Sequence, residues 1–409
     1  MIKNLKLIIR LVIKHYRLEY MKFLKNINVS NKRVLVRADF NVSLDEQGNI
    51  LDDFRIKATL PTIEYLIKNS AKVILMAHLG KPKGRIVEKL KMDSVQERLM
   101  EYLDVSITKA PDCIGEEIEK WTHEMQTGEI LLLENLRFHK EEEENDETFA
   151  KELAKLGDIY VNDAFGASHR QHASIVAITK FLPAYAGLLL EKEINALNII
   201  LENPAKPLIV IIGGAKISTK MKLIKNFLKK ADNILLGGAL ANTALHALGM
   251  GIGKSFIEEE MVDEVKGFNI TDTKLHIPVD TVASTDTSGE KEIEIAPVGK
   301  TKENQLILDI GPETQKLFSR MIKEAKTIIW NGPMGLFEKE QFAKGTEAVA
   351  KAIAACECYS VVGGGETVTF IDKLGLVDKF SHISTGGGAM LKFLAGEEMP
   401  GLKALEQSE

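Results

Sequence analysis

The chain has 409 residues, 45% hydrophobic and 27% charged, with a formal net charge of -5, a balance that excludes disordered, fibrous and membrane-spanning classes. A single hydrophobic core stops growing near about 250 to 300 residues, so the length predicts two domains of roughly 200 residues each. The acidic balance argues against a general nucleic-acid binder, which needs surplus Lys and Arg to displace counterions, and three cysteines, Cys113, Cys356 and Cys358, are too few for a disulfide framework and point to a reducing cytoplasm.

Residues 1–20 stand apart. Lys3, Lys6, Arg10, Lys14 and Arg17 alternate with Leu5, Leu7, Ile8, Ile9, Leu11, Val12 and Ile13. Arg10 breaks the apolar run well short of the roughly 20 residues a membrane span needs, and no small-residue cleavage site follows. Three readings stay open: an upstream stretch before a start at Met21, an amphipathic surface or targeting helix, or a helix packed on the domain.

From Lys32 the pattern is strand, loop, helix, repeated. Apolar, β-branched-rich runs at 33–37, 72–78, 129–134 and 158–163 predict strands, and helical spacing covers 59–68. The acidic run Glu141–Glu144 reads as a solvated helix start, and His123 and His139 as surface residues. A helix over about 187–201 ends at Asn203-Pro204-Ala205-Lys206-Pro207, a helix stop and linker. Strands then resume at 207–214, 233–238, 327–333, 359–365 and 381–388. Alternating strands and helices imply parallel sheets covered on both faces. The expected fold is α/β, two Rossmann-like doubly wound parallel-sheet domains joined by a hinge helix. The expected divisions are an extension (1–20), a first domain (21–186), an interdomain helix and linker (187–206), a second domain (207–395), and a tail (396–409) returning to the first.

In open parallel sheets ligands bind beyond the carboxyl ends of the strands. In the first half those ends carry Arg37, Asp39 and Asn41, then Arg55, then His78-Leu79-Gly80-Lys81-Pro82, then Asn135-Leu136-Arg137, then Asn162-Asp163 with His169, Arg170 and His172. Guanidinium forks pair bidentately with phosphate and carboxylate, so this ring suits a small polyanion. In the second half the ends carry glycine: Gly213-Gly214-Ala215-Lys216, Gly237-Gly238, Asn331-Gly332-Pro333, Gly363-Gly364-Gly365-Glu366-Thr367 and Thr385-Gly386-Gly387-Gly388. Glycine lets main chain approach a ligand, and a helix starting at once aims its amides at phosphate, which suits a nucleotide. Ile217, Met221, Ile224 and Leu228 recur at helical spacing, and Lys216 and Lys220, four apart, are expected to share one helix face and reach one phosphate chain. The segment Gly249–Ser255 approaches a phosphate loop, but Leu248 stands where that motif needs glycine, and it follows a helical stretch, which also excludes a dinucleotide fingerprint.

The ordered motifs RVLVRADFNV, DDFRIKATLPTI, HLGKPKG, LLLENLRFH, NDAFGASHRQHAS, GGAKISTK, WNGPMGLFE, GGGETVT and STGGGAMLKFLAG resemble those of phosphoglycerate kinases from about Lys22 to Leu405. The resemblance implies reversible phosphoryl transfer from 1,3-bisphosphoglycerate to ADP, giving 3-phosphoglycerate and ATP, in a cytoplasmic monomer using Mg2+ with the nucleotide and no nucleic-acid or membrane partner. It implies that Arg37, Asp39, Asn41, Arg55, His78, Arg137 and Arg170, with Leu79, Gly80 and Lys81, hold the acid, and that Arg55, Lys216, Gly364 and Gly387 act on the transferred group. Gly213, Lys216, Lys220, Gly237, Gly238, Asn331, Pro333, Glu338, Gly363, Gly364, Gly365, Glu366 and Thr367 are the implied nucleotide contacts, Glu366 also meeting Mg2+ directly or through water. Three positions depart from the family pattern: Lys81 replaces arginine, Glu366 replaces aspartate, and Thr219 stands where many members have aspartate. The alternatives are a non-catalytic two-domain binding protein for phosphorylated metabolites and a hydride-transferring dehydrogenase.

Overall fold

The computed structural model describes residues 21–267 and 272–408; the readings offered for residues 1–20 fall outside them. The chain divides into two compact units, one running to Asn195 and taking in Gly396 onward, the other Ala196–Ala395.

The first unit is built on β1 (Arg33–Arg37), a small hairpin of β2 (Ser43–Leu44) and β3 (Ile50–Asp52), β4 (Lys72–Met76), β5 (Ile107–Lys109), β6 (Ile130–Leu132), β7 (Ile159–Asn162) and β8 (Ala184–Ala186). Six of these form one sheet in the order β5-β6-β4-β1-β7-β8, every pairing parallel. Val34, Leu35, Val36, Val73, Ile74 and Leu75 are fully buried, because a parallel sheet is covered on both faces and its inner strands are apolar throughout. One face packs Ile56, Ile63 and Leu66 of the helix Phe54–Lys68 and Val95 and Leu99 of the helix Asp93–Leu103. Strand order reverses between β1 and β7, the switch point where a doubly wound sheet opens a crevice.

The second unit carries β9 (Leu208–Ile212), β10 (Asn233–Leu236), β11 (Leu275–His276), β15 (Thr327–Asn331), β16 (Tyr359–Gly363) and β17 (His382–Ser384), ordered β11-β10-β9-β15-β16-β17 and parallel throughout. Its switch point lies between β9 and β15. A separate antiparallel sheet, β12 (Asp280–Ser284) flanked by β13 (Ile293–Pro297) and β14 (Leu306–Ile310), is inserted between β11 and β15. Trp330, Phe318, Ile322, Ile353 and Ile371 form the core on one face of the main sheet.

The helix Leu188–Glu202 contains the boundary between the units. Its start is fixed by Asp163, whose Oδ1 accepts from the amides of Leu189 (2.9 Å) and Leu190 (3.1 Å), a carboxylate placed where helix amides have no other partner. Asp163, grouped in sequence with the polar strand ends, is thus a buried helix cap. The tail forms the helix Pro400–Gln407 with Leu402 and Leu405 buried, and Gly401 donates its amide to Ser168 O at 2.9 Å.

Candidate functional site

In the first unit the expected cations gather at the carboxyl ends of β1, β4, β6 and β7. Arg37 is fully buried; its Nε donates to Ser174 Oγ at 2.8 Å, its Nη1 to Ala38 O, and its Nη2 meets His78 Nδ1 at 3.0 Å. Beneath it Glu142 accepts from Ser174 through both backbone N (2.9 Å) and Oγ (2.6 Å) and stands 3.9 Å from Arg37 Nη2. Burial opposes charge on Glu142, but His172 and Arg37 outweigh it and hold the carboxyl below its usual range. The acidic run is therefore not wholly solvated: the turn of helix Lys140–Glu144 sends Glu142 into the core, and Glu143 reaches Arg137 Nε at 3.4 Å.

A second chain of bonds joins the loops. Arg55 Nη1 donates to Asn41 O at 2.6 Å and lies 3.8 Å from Asp39 Oδ1. Asn41 Oδ1 accepts from Gly80 N at 2.8 Å, and Gly80 O accepts from Arg137 Nη1 at 2.8 Å. Asn135 ties the same loops, accepting from the amides of Leu79 and Arg137 and donating to Leu79 O. Arg137 Nη2 is buried with no hydrogen-bond partner among the described residues, a donor that an anionic oxygen would satisfy. Burial and the neighbouring Arg170 press the Arg137 pKa down to about 10, so it remains charged at neutral pH. Burial, then Arg37, Arg137, Arg170 and Arg55, hold His78 well below the ordinary histidine range; it is neutral, its Nδ1 faces Arg37, and its proton resides on Nε2. Lys81 is exposed, and Arg170 Nε lies 3.4 Å from His169 Nε2.

In the second unit the glycine turns interlock at the switch point. Gly213 N donates to Asn331 O (3.0 Å), Gly214 N to Pro333 O (2.7 Å) and Gly238 N to Met334 O (2.8 Å). Asn331 Nδ2 donates to Gly363 O at 2.7 Å, and Thr367 Oγ1 accepts from Gly332 N at 3.0 Å. Several of these glycines are required by packing: a Cβ on Gly213 would stand 2.0 Å from Pro333 O, one on Gly237 2.5 Å from Met334 Sδ, one on Gly363 2.7 Å from Met390 Sδ, and one on Gly387 2.8 Å from Gly364 Cα. Gly365 and Gly388, in the first turns of helices Gly365–Lys373 and Gly387–Leu394, meet nothing within 4 Å. Neither packing nor a positive φ accounts for the missing side chain there, and the amides of both turns have no earlier helical carbonyl to bond.

The expected sharing of a helix face by Lys216 and Lys220 is not what forms. The helix is Met221–Leu228 with Lys220 as its cap, and Phe227, not Leu228, is the buried residue of its last turn. Lys216 is exposed on the preceding loop. Lys220 is buried, its Nζ donating to Gly213 O, and burial lowers its pKa to about 8 against the opposing pull of Glu366 and Glu258. Glu258, which nothing in the motif pattern marks, accepts from Ile217 N, from Ser218 N at 2.9 Å and from Ser218 Oγ at 2.9 Å, clamping the segment between the two lysines. Thr219 Oγ1 donates to Lys216 O at 3.2 Å, so it also serves that loop.

Beside the switch point lies a cavity of about 290 Å³ lined by Gly214, Gly238, Phe256, Leu308, Pro333 and Phe337, with Glu338 and Glu366 among its polar wall residues. Asp309 faces it; burial raises its pKa to about 7 against bonds from Gly345 N and Ile310 N. An apolar slot beside open helix amides and a lysine has the makeup of a nucleotide site. Gly249–Ser255 follows the helix Gly238–Ala247, in keeping with its exclusion as a phosphate loop.

The phosphoglycerate kinase family model matches residues 24–397. The chain belongs to that family. It is similar to the phosphoglycerate kinase of Moorella thermoacetica, 47% identical over 388 residues covering 94% of this chain and 98% of the relative. That of Aquifex aeolicus is 46% identical over 393 residues, 95% and 99% of the two chains. Among solved structures, phosphoglycerate kinase from Pyrococcus horikoshii superposes with a TM-score of 0.85 at 36% identity, covering 95% of this chain and 99% of that one. The Coxiella burnetii enzyme gives 0.82 at 38%, covering 95% and 100%. Membership makes the chain a kinase, a phosphotransferase with a carboxyl group as acceptor.

Proposed function

We propose that the chain catalyses reversible phosphoryl transfer from 1,3-bisphosphoglycerate to ADP, giving 3-phosphoglycerate and ATP. The observation that carries this reading is the contrast between the two switch points: buried guanidinium groups with an unpartnered donor at Arg137 in one unit, and glycine turns, open helix amides and a buried lysine in the other. Arg37, Arg137, Arg170, Asn41 and neutral His78 hold the acid's phosphate and carboxylate, with Asp39 steadying Arg55 and Lys81 adding a point charge at the rim. The nucleotide occupies the apolar cavity, with Glu338 at its wall and its phosphates towards Lys220, Asn331 and the 363–367 turn.

In the direction of ATP use the nucleophile is a carboxylate, ionised at pH 7, so no general base is required. Transfer rests on in-line positioning and on donors aimed at the equatorial oxygens: Arg55, Lys216, and the amides at Gly364, Gly365, Gly387 and Gly388. Glu366 suits Mg2+, being an exposed carboxylate in a first helical turn at the cavity wall, since Mg2+ is usually held by one or two carboxylates together with substrate phosphates. When bound, the ion neutralises phosphate charge. Because acid and nucleotide bind to different units, closure about the 187–206 segment is needed to join them and exclude water. We place the enzyme in the cytoplasm as a monomer; its cysteines are unpaired, as a reducing compartment requires. No helix among the described residues is long and apolar enough to cross a membrane. The test is ADP formation from ATP with 3-phosphoglycerate, with and without magnesium: turnover that needs both is expected, and binding of both ligands without turnover would favour the non-catalytic alternative.

A further inference from the structure

Away from the residues assigned above, three side chains of different ligand chemistry converge. Asp112 and Cys113 lie on the loop after β5, and His139 precedes the helix Lys140–Glu144 after β6. A carboxylate oxygen of Asp112, the Cys113 sulfur and a His139 ring nitrogen all lie within 4.8 Å of one another. Asp112 Oδ1 is 2.7 Å from His139 Nε2 and accepts from Cys113 N at 2.6 Å. The imidazole is seated on Phe149, ring centroids 5.3 Å apart. The loop is tied to its neighbouring strand by Ala110 N to Leu132 O at 2.8 Å. Cys113 is buried and Asp112 exposed, so the group opens to solvent on one side. Asp112 and Cys113 lie outside the quoted motifs, His139 closes the motif LLLENLRFH, and His139, expected at the surface, is half-buried.

We propose that Asp112, Cys113 and His139 form a binding site for a borderline-soft divalent transition metal of the zinc type. The donor set of one oxygen, one sulfur and one nitrogen favours such ions over Mg2+ or Ca2+, which take oxygen. Metal-ligand bonds of about 2.0 to 2.3 Å in tetrahedral geometry separate ligand atoms by about 3.3 to 3.8 Å, so side-chain adjustment of about 1 Å closes the site on an ion. Three protein ligands and an exposed side leave the fourth position to water. On binding, Asp112 Oδ1 and His139 Nε2 exchange their hydrogen bond for two metal-ligand bonds, the Nε2 proton leaving to solvent and the neutral ring keeping its proton on Nδ1, and the Cys113 S–H bond gives way to a sulfur-metal bond with its proton likewise released to solvent. His139 precedes the helix whose Glu142 and Glu143 meet Arg37 and Arg137, so occupancy is expected to weaken binding of the acid. That consequence rests on the function proposed above; the metal site itself does not.

The experiment titrates Co2+ into the full chain carrying Cys356→Ser and Cys358→Ser, which leaves Cys113 the sole thiol. One ion per chain is expected, with a sulfur-to-cobalt charge-transfer band in the near ultraviolet, displacement by Zn2+ and none by excess Mg2+. His139→Gln, at a half-exposed site, should keep the native circular dichroism while weakening binding about tenfold or more, and Cys113→Ser should abolish the band. Absence of the band in the parent, or unchanged Co2+ affinity in His139→Gln, overturns the site whether or not the chain transfers phosphate.

Discussion

Lys220 is 7% exposed, and burial brings its pKa to about 8. The sign of the consequences follows. An anion beside the ammonium favours its charged form, so nucleotide phosphates should raise this pKa and binding should draw in a proton. Calorimetry of ADP binding near pH 8 in buffers of different ionisation enthalpy should register proton uptake, and affinity should fall as pH rises above about 8; Lys220→Arg should flatten that fall. For folding, the unfolded chain holds the lysine proton up to the ordinary value of 10.5, so between about 8 and 10.5 the unfolded state binds more protons and stability gains from rising pH. Below 8 the cost of burying the charge is present in full. Arg55 makes a different case, because it is partly exposed and anchored to Asn41 O. Arg55→Ala should lower kcat by about 10²- to 10³-fold, the typical loss of one transition-state donor, with little change in nucleotide Kd; near-normal turnover would remove it from the catalytic set.

At the scale of turns and helices, the glycines divide into those the fold needs and those a ligand needs. Gly213→Ala pushes a methyl onto Pro333 O and should cost about 1 to 3 kcal/mol of stability, the usual range for overpacking, readable as a lowered Tm. Gly365→Ala meets nothing within 4 Å in the protein, so its Tm should hold while kcat drops, because the methyl would enter the space that the proposed mechanism gives to the transferring group. Glu258→Ala should release the loop between Lys216 and Lys220 and lower kcat while sparing binding of the acid. Much of this scale was readable in advance. β1, β4, β9 and β15 are apolar runs buried on both faces, and the residues after β1, β9 and β15 fall at the switch points as any doubly wound sheet requires. Ile107–Lys109, Ala184–Ala186 and Leu275–His276 escaped because strands this short carry no periodicity, and β12 to β14 because edge positions such as Glu294 break the apolar pattern. Lys220 reads as helical from the sequence because i, i+4 spacing carries no marker of where the first turn begins. Glu142 and Glu258 are invisible in a run of charge: what distinguishes each is a partner more than thirty residues away, Ser174 and Ser218.

For the molecule as a whole, the proposed function demands that an acid held by one unit meet a phosphate held by the other. The expected outcome in solution scattering is a smaller radius of gyration with both substrates than with neither, and an unchanged value would count against closure. The tail Gly396–Ser408, which belongs to the first unit, makes the second unit an insertion within the first. Gly401 donates to Ser168 O, two residues before Arg170, and a Cβ added at Gly401 would stand 2.7 Å from Ile175 Cγ2 and 3.1 Å from Ser168 Cα. On the ribosome this reverses the intuitive order of completion: the unit proposed to bind nucleotide has all its residues before the unit proposed to bind the acid receives the helix Pro400–Gln407. A chain halted after Ala395 should therefore still capture ADP while failing to grip the acid, so the stretch beyond Ala395 decides when a nucleotide binder becomes an enzyme.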